Sequence, residues 1–548
     1  MFIKKLTISS ILLGVVTTGC AQDSLSVSQG NPLLRNYQFV KQSDRWLTNG
    51  NGAGLTSYQA DNIAAAELSL AIGKGRLGKF GSPSDFLQAT VGVESFYRIS
   101  QRTVLFGSIR YDNWSGRDMA GSAFLQDRLP FDIVEENEDN TGRKHRDTYQ
   151  LAGGVGIDLW HGYSIGARVD YTAANYAKYK DLRHKNKLMD LTLTVGAKAP
   201  VLSWLTVGAN YLYHRTTESV TFSLNGRKDR VFKSIIAYGS FMGRTEQFGS
   251  TGFTDNTREM PLVEDQNGGS FQLEVHPFRH SSGWLKPLAV YGDITLIHGK
   301  GYYGRKSPYT ITYTNHQRDI INVKGRVAYV QPTSRHYLDI SYADEKLKNY
   351  AENYRELIND VGSYYYQYYD PTETADKHWY NFNADYTLHL GIHGEQPTWT
   401  VTAGYHWQLR QQTSYIYPYF RFQKLTTHEL AASVSRTFDT RFGIWTTTIN
   451  GAYQKGSGAP CIDGTYITPS AKQSVPASME SYLYQDYHLL TSPQYTIGAE
   501  ARYAFLFPGT HLLTHVRANL QYRRATTLAA EYCGRSITTA LLAVGCTF

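Results

Sequence analysis

The chain has 548 residues, of which 41% are hydrophobic and 14% aromatic, and its formal net charge at pH 7 is +8. Four cysteines without a CxxC pair exclude a disulfide scaffold and a zinc ribbon. No stretch of about 18 apolar residues follows the N-terminus, and a small positive surplus on so long a chain does not indicate a nucleic-acid partner.

The N-terminal residues have the organisation of a signal peptide. Lysines at positions 4 and 5 precede an apolar stretch at 6–16, and the tripeptide Gly-Cys-Ala at 19–21 provides the small residues of a cleavage site. Cleavage after residue 21 would remove this segment, whereas lipoprotein processing would retain Cys20 as an acylated N-terminus. Both routes predict export from the cytoplasm.

The body of the chain alternates between apolar and polar residues. Residues 87–99 are mostly apolar at odd and mostly polar at even positions, and residues 163–171, 399–409 and 495–503 repeat this period of two. A period of two is that of a β-strand. The segments run about 9–13 residues, the length that a strand tilted by about 45° needs to cross a bilayer. We therefore predict a transmembrane β-barrel rather than a secreted β-sandwich.

The connections between these segments alternate in length. Tight turns near 100–101 and 161–162 alternate with long connections such as 115–146, 215–269 and 344–377. Outer-membrane barrels have this asymmetry, with short periplasmic turns and long extracellular loops. The pattern predicts an all-β, antiparallel barrel of about 18 strands, within a range of about 16–20.

The predicted organisation has three parts. A signal peptide at 1–21 is followed by an N-terminal segment at 22–61 and by the barrel at 62–548. The N-terminal segment either enters the lumen as a partial plug or extends into the periplasm. It is too short for the globular plug domain of an energy-coupled receptor.

The alternating pattern continues to the last residue, Phe548. Bacterial outer-membrane barrels end on a terminal aromatic residue of this kind, which the insertion machinery reads. We therefore expect the cell outer membrane as the location, with outer-membrane lipid and the insertion machinery as partners.

Several stretches resemble an uncharacterised outer-membrane β-barrel family of Bacteroidota. The stretches are NGNGAGL (49–55), ESFYRIS (94–100), FGSIRYDNWSGRDMAGSAF (106–124) and RLPFDI (128–133). The resemblance extends from about residue 30 to the C-terminus, and the CAQ that ends the signal peptide also fits that phylum. It implies the fold and the location, names no substrate and supplies no catalytic motif.

Charges of both signs lie on the polar face of the predicted strands. Rows of acids and bases order water and favour small polar solutes, or else they pair across the lumen and only stiffen its wall. The predicted lumen-lining residues are Glu94, Arg98, Arg110, Asp112, Asp158, Arg168, Asp170, Asp385, Glu500, Arg502 and Arg517.

Three functions are compatible with this pattern. The first is a channel or transport component that passes small polar solutes without a cofactor. The second is a plugged barrel that binds a surface or transporter partner. The third is a hydrolase at the outer rim, although no spacing of acids and histidines selects a catalytic set or a metal site.

Aromatic residues are dense in one predicted extracellular connection. Such side chains bind sugars or protein partners, or they form the interfacial belt of strands that extend above the membrane. The predicted surface-recognition residues are Tyr364, Tyr365, Tyr366, Tyr368 and Tyr369.

The cysteines permit a geometric prediction. Cys461 and Cys533 fall in neighbouring outer loops, so we expect them to form a disulfide. Cys546 lies about 13 residues beyond Cys533, or roughly 40 Å along an extended strand, which is outside disulfide reach. Its thiol is expected to face the lipid.

Overall fold

The computed structural model describes most of the chain. The described residues are 32–60, 62–225, 230–248, 252–254, 259–307, 310–510, 512–526 and 533–548. The predicted signal peptide and residues 22–31 lie outside them, so the fate of Cys20 stays a prediction. Among the described residues, no helix combines the length and the apolar character needed to span a membrane.

Eighteen long strands form a closed antiparallel barrel. They are β1 (Ile63–Gly75), β2 (Asp85–Arg98), β3 (Thr103–Met119), β5 (Gly142–Trp160), β6 (Tyr163–Lys178), β7 (Arg183–Leu202), β8 (Leu205–Ser223), β11 (Met260–Val275), β12 (Leu288–Ser307), β13 (Thr310–Val330), β14 (Ser334–Ile358), β15 (Tyr364–His393), β16 (Gln396–Ile416), β17 (Tyr419–Thr440), β18 (Gly443–Gly458), β21 (Gln494–Leu506), β22 (Leu513–Ala525) and β23 (Ser536–Thr547). Each pairs with the barrel strand that follows it, and β1 closes the barrel by pairing with β23. The predicted 18-stranded barrel is confirmed.

The long connections contain further elements. β4 (Asp132–Glu135), β9 (Lys233–Gly239), β10 (Met242–Gln247) and β20 (Ala477–Ser478) form a separate sheet in the order β20–β10–β9–β4, and β19 (Ile462–Thr465) pairs with β17. A helix spans Glu480–Thr491. We call the described residues of 120–141, 230–254 and 459–493, which contain these elements, the cap.

The period of two decides which face of each strand meets the bilayer. In β1, Leu68, Leu70 and Ile72 point outward and are 42–53% exposed, whereas Glu67 points inward and bonds to Arg517 of β22. A bilayer offers no hydrogen-bond partners to the backbone, so a sheet must close on itself to cross it. A closed barrel with an apolar outer face is the architecture of a bacterial outer-membrane protein, and this protein lies in the outer membrane.

Most barrel strands are longer than the predicted 9–13 residues, and β14 and β15 exceed this length most, with 25 and 30 residues. The stretch 344–377, expected to be a long loop, is mostly strand, because β14 and β15 continue beyond the barrel as a hairpin whose connection is only 359–363. Cross-strand aromatic pairs such as Tyr354 opposite Tyr368 stabilise this extension. The loop prediction failed there because polar, tyrosine-rich strands lack the apolar face by which strands are recognised.

The N-terminal segment, defined from here as the described residues 32–60, is folded. It contains a helix at Tyr37–Ser43 and 3-10 helices at Pro32–Leu34, Arg45–Leu47 and Gly52–Ser57. Asn36, Asp44 and Asn51 each precede one of these helices, and their side chains accept hydrogen bonds from Phe39, Trp46 and Ala53 backbone N–H groups, respectively. Such N-caps stabilise short helices that are marginal alone.

The predicted disulfide is not present, since neither Cys461 nor Cys533 is in a disulfide. Cys461 packs beside an apolar cluster that includes Leu483, whereas Cys533 is buried in a cluster with Leu489. The two leucines are six residues apart on one helix, or about 9 Å along its axis, so the two cysteines belong to clusters at different turns of this helix. Cys546 shares the outward face of β23 with the exposed Leu542 and Val544.

Candidate functional site

The N-terminal segment lies against the inner wall of the barrel. Trp46, 2% exposed, donates a hydrogen bond from its indole Nε1 to Oε2 of Glu274 on β11 at 2.6 Å. Tyr291 packs edge-on against the indole, and the ammonium group of Lys198 lies 5.5 Å from its ring centre. This residue therefore joins the segment to three different strands.

Asn51 forms a second anchor, and it is 1% exposed. Its Nδ2 donates to the carbonyl oxygens of Ala197 and Ala209 and to Oε1 of Gln272, at 3.0, 3.3 and 3.1 Å. Its Oδ1 accepts from the backbone N–H of Ala53. A buried amide satisfied on both sides specifies one position of the segment in the lumen.

The segment approaches the wall as closely as two backbones permit. A Cβ placed on Gly52 would lie 2.6 Å from the backbone nitrogen of Ala167 on β6. Gly166 faces the same crossing, where an added Cβ would meet the backbone of Gly52. Only glycine at position 52 fits this approach.

Ion pairs complete the attachment. Lys41 contacts Glu94 of β2 at 2.6 Å, and Arg326 of β13 holds Asp339 while donating to the carbonyl oxygen of Gln42 at 2.6 Å. Arg45 also pairs with Asp339. The predicted lumen residue Glu94 is thus part of the attachment of the N-terminal segment.

Asp44 has a perturbed acidity at this interface. Its pKa is raised to about 6, first by burial and then by the nearby carboxylate of Glu274. The hydrogen bond from the Trp46 N–H and the charges of Lys198 and Arg326 act in the opposite direction. The docked segment therefore binds this proton more tightly than an exposed aspartate would.

The cap covers the end of the barrel at which the long connections lie. Phe131 and Phe253 of the cap pack on Tyr303 and Tyr313 of the wall, with ring centres 5.0 and 4.7 Å apart for the pairs Phe131–Tyr303 and Phe253–Tyr313. These rings belong to a buried apolar cluster shared by the cap and the wall.

Polar contacts also fasten the cap. Glu218 of β8 accepts hydrogen bonds from the backbone N–H groups of Leu125 and Gln126, at 2.7 and 3.2 Å. Lys377 of β15 donates to the carbonyl oxygen of Leu129 at 2.9 Å. The buried side chains of Glu218 on β8 and Lys377 on β15 are thereby both hydrogen-bonded to the backbone of one cap loop.

A cavity of about 1070 Å³, called the central cavity from here, borders the N-terminal segment inside the barrel. Its lining contains apolar side chains as well as charged, amide and hydroxyl ones, from β1–β3, β5, β6, β15–β18 and β21–β23. Seven of the predicted lumen residues line it: Glu94, Arg110, Arg168, Asp170, Glu500, Arg502 and Arg517. Sequence reasoning did not select Glu67, which also lines the cavity, although its inward position follows from the alternation in β1.

Most charges in the cavity are paired along the wall. Arg517 bonds to Glu67 at 2.6 Å and to Glu500 at 3.3 Å, and Arg168 holds Asp170 through two nitrogens at 2.7 and 2.8 Å. His515 also contacts Glu67 at 3.2 Å. These pairs join positions that are neighbours on the wall.

The remaining predicted lumen residues lie elsewhere. Arg98 donates to the carbonyl of Gln101, and Asp158 accepts from the N–H of Gly162 at 3.1 Å, so both stabilise periplasmic turns and do not line the central cavity. Their strand phase is the one predicted, but they sit at the strand ends. Asp112 is held on the wall by Thr90 at 2.9 Å.

Asp385 lines a second cavity of about 540 Å³. His406 lies between two carboxylates there, with Nε2 2.9 Å from Asp385 and Nδ1 3.2 Å from Glu429. The three side chains come from the consecutive strands β15, β16 and β17.

The predicted recognition tyrosines lie on the β14–β15 hairpin. Tyr364 and Tyr369 are 56% and 51% exposed, Tyr365 is half-buried, Tyr366 bonds to Glu356, and Tyr368 accepts a hydrogen bond from the N–H of Thr312. A role in recognition stays a prediction.

Residues 52–548 match the model of a family described as Family of unknown function (DUF6850). The chain belongs to this family. The match agrees with the expected resemblance to an uncharacterised family, while the bacterial phylum stays an expectation. No curated protein matches the chain.

Solved structures of outer-membrane proteins are similar to this chain at low identity. BauA, the ferric preacinetobactin receptor from Acinetobacter baumannii, has 8% identity and a TM-score of 0.39, with 89% of this chain and 80% of that chain covered. The outer membrane transporter YddB from Escherichia coli has 8% identity and a TM-score of 0.40, covering 90% and 81%. The ferric-catecholate import receptor Fiu from E. coli K12 also has 8% and 0.40, covering 90% and 82%. Values this low do not extend the ligands of those proteins to this one.

Proposed function

We propose that the protein is an outer-membrane transport component for small polar solutes, and that the N-terminal segment and the cap close its lumen at rest. The central cavity carries this proposal, because it lies against the N-terminal segment and is lined by charged and hydroxyl side chains. Its volume of about 1070 Å³ is near the upper end of typical small-ligand sites.

The contacts of the N-terminal segment suit a barrier that can be released. It is attached by the apolar cluster of Tyr37, Val40, Leu47, Leu55 and Tyr58, by ring contacts of Phe39 and Trp46, and by hydrogen bonds and ion pairs. All of these contacts are noncovalent, and a single hydrogen bond or ion pair contributes only about 0.5–3 kcal/mol, so the segment can leave the wall without unfolding the barrel. Solute would then cross by diffusion down its gradient, with the cap as the second barrier.

A reversible lock tests this mechanism. Thr56 Oγ1 and Ser164 Oγ lie 2.9 Å apart, one on the N-terminal segment and one on β6. The double variant Thr56→Cys/Ser164→Cys, in a background in which the native cysteines are serine, should form a disulfide that holds the segment in place. Single-channel conductance in planar bilayers would be compared before and after reduction.

The expected result is no open-pore steps when the variant is oxidised and infrequent steps when it is reduced, because the segment can then leave the wall. Steps should be more frequent when residues 32–60 are deleted and only the cap closes the lumen. Thr56→Cys and Ser164→Cys alone are the matched controls and should not respond to the redox state. If no form of the demonstrably folded protein conducted, the proposal that solutes pass through the lumen would be rejected.

A surface binding role is the second candidate, and the exposed tyrosines of the β14–β15 hairpin favour it. Replacing Tyr364 and Tyr369 by serine should leave conductance unchanged if the hairpin serves recognition alone. The same variant should then lose cell-surface cross-links that a photoreactive residue at position 365 forms in the unchanged hairpin. Unaltered cross-links would reject this role.

A further inference from the structure

The outside of the barrel carries a groove near the end at which the long connections lie. It has a volume of about 630 Å³ and crosses five neighbouring strands of the wall, β23, β1, β2, β3 and β5. Ile72 of β1 and Leu87 of β2 line it on the lipid-facing side, where they are 53% and 46% exposed. We call this cavity the outer groove.

The charges of the outer groove are mainly positive. Lys74, Arg117 and Arg143 line it, and all three side chains are exposed. Asp85 is the one acid among the described residues that form its lining. Three cations against one carboxylate leave a surplus of two positive charges on a face that is turned towards the membrane.

The strand register brings these cations to one place. Lys74 lies directly opposite Asp85 in the β1–β2 pair, which puts their Cβ atoms about 5 Å apart. Arg117 contacts the same carboxylate at 3.6 Å. Arg143 donates from Nε to Oγ of Ser115 at 2.7 Å, and Ser115 is two residues before Arg117, or about 7 Å away on the same face.

The depth of the groove is that of lipid headgroups. Lys74 follows Ile72 by two residues, so its charge begins about 7 Å beyond the last exposed apolar side chain of β1. A cation on the lipid face is costly at the centre of a bilayer and tolerated near its surface. The neighbouring Asp118 does not line the groove, and its carboxylate accepts a hydrogen bond from the Ser84 hydroxyl at 2.6 Å.

We propose that the outer groove binds a phosphorylated glycolipid of the outer leaflet. Its phosphate groups contact Lys74, Arg117 and Arg143, and an acyl chain lies along Ile72 and Leu87. Guanidinium and ammonium groups bind phosphate oxygens strongly, and basic pockets at a membrane surface select anionic headgroups. The positive surplus disfavours a zwitterionic lipid, and the apolar side chains of the groove favour a lipid over free phosphate. This site does not depend on the proposed transport function.

Native mass spectrometry of the purified full-length protein in mild detergent tests the site. The protein is titrated with bisphosphorylated lipid A, and with phosphatidylglycerol and phosphatidylethanolamine for comparison. The variant Lys74→Gln/Arg117→Gln/Arg143→Gln should bind lipid A at least about tenfold more weakly, because the charges that attract the phosphates are lost. Lys74→Gln/Arg143→Gln leaves the Arg117–Asp85 pair intact and should lose part of the affinity, as an independent test if the triple variant does not fold.

The matched control is Lys346→Gln/Lys348→Gln/Lys424→Gln. It removes three exposed lysines from β14 and β17, in a region where Lys348 already lies 3.9 Å from both Glu373 and Asp376. This variant should bind lipid A like the unchanged protein.

Three results would overturn the proposal. The first is equal affinity for lipid A in the outer-groove variants and the unchanged protein, and the second is an equal loss of affinity in the control. The third is binding of phosphatidylglycerol as tightly as lipid A, or displacement of lipid A by inorganic phosphate, since the groove would then recognise a bare negative charge.

Discussion

The indole nitrogen of Trp46 and the carboxylate of Glu274 are joined by a 2.6 Å hydrogen bond, although 228 residues separate them in the chain. One partner belongs to the N-terminal segment and the other to the barrel wall. The bond therefore reports directly whether the segment is docked.

Trp46→Phe should loosen the segment. The change removes the hydrogen bond to a charged acceptor, which contributes about 1.5–3 kcal/mol, while it retains an aromatic ring. Limited proteolysis of the segment in intact barrels should be at least several times faster than in the unchanged protein. Glu274→Gln keeps an acceptor oxygen and should have a smaller effect. Unchanged proteolysis of Trp46→Phe would show that this bond does not hold the segment.

Gly52→Ala should displace the segment from β6. The added methyl group would lie 2.6 Å from the Ala167 nitrogen, which belongs to a paired strand and cannot retreat. Overpacking of this kind costs about 1–3 kcal/mol. Hydrogen exchange of the amides of 37–58 should become faster.

Gly50→Ala is the internal comparison, because nothing lies within 4 Å of a Cβ at that position. Its amide exchange should match that of the unchanged protein. If Gly52→Ala exchanged no faster than Gly50→Ala, the close backbone crossing would not constrain the segment.

Docking of the segment should depend on pH through Asp44. Its pKa is about 6 when docked and near the ordinary 3.8 when the segment is released. Because the docked state binds the proton more tightly, docking is stabilised as the pH falls from about 6 towards 4, and the penalty of an ionised Asp44 is fully present at pH 7.

The measurement is proteolysis of the segment at pH 5 and pH 7.5, with the protease rate corrected on a peptide. Cleavage should be relatively slower at pH 5. Asp44→Asn keeps an N-cap for Trp46 without the charge, and it should reduce this difference. An identical pH dependence in the variant would assign the effect to another group.

Glu67→Gln should weaken the barrel near its closing strands. Glu67 on β1 reaches over β23 to His515 and Arg517 on β22. These groups are partly exposed, so we expect a loss of about 1 kcal/mol in the free energy of unfolding. The temperature at which the folded barrel loses its fast mobility in detergent gels should fall.

Arg117→Gln is the comparison for this variant. Its ion pair with Asp85 is long, at 3.6 Å, and its side chain is 73% exposed, so its removal should change stability by less than about 0.5 kcal/mol. Equal stability of the two variants would mean that the ion pairs of Glu67 contribute nothing to the free energy of unfolding.

Local alternation predicted the barrel well. Arg168 and Arg502 face the lumen as predicted, because adjacent strand residues point to opposite faces and the apolar ones must meet lipid. The same rule, applied to the stretch before residue 75, would have found Glu67. The direction in which a side chain points, however, does not determine how deep in the barrel it lies. Arg98 and Asp158 were therefore predicted to line the lumen although they lie at periplasmic turns.

Insertion of the N-terminal segment into the lumen was one of two alternatives that the sequence left open, but the contacts that hold the segment and the cap were beyond such reasoning. Asn51 is satisfied by Ala197, Ala209 and Gln272, and Lys377 by Leu129, so these positions acquire their meaning only when distant parts of the chain meet. The prediction of a Cys461–Cys533 disulfide failed for the same reason, since the two cysteines pack into different clusters of the folded chain.

The pairing of Ala65 with Thr547 also has a consequence for assembly. A seam between the first and the last strands cannot form until the whole chain has been exported. The N-terminal segment precedes the first strand, so it is available from the start, while the wall opposite it is still being added. The segment can therefore enter the lumen before the hydrogen bonds between β1 and β23 close the barrel, and no later threading through a finished pore is required.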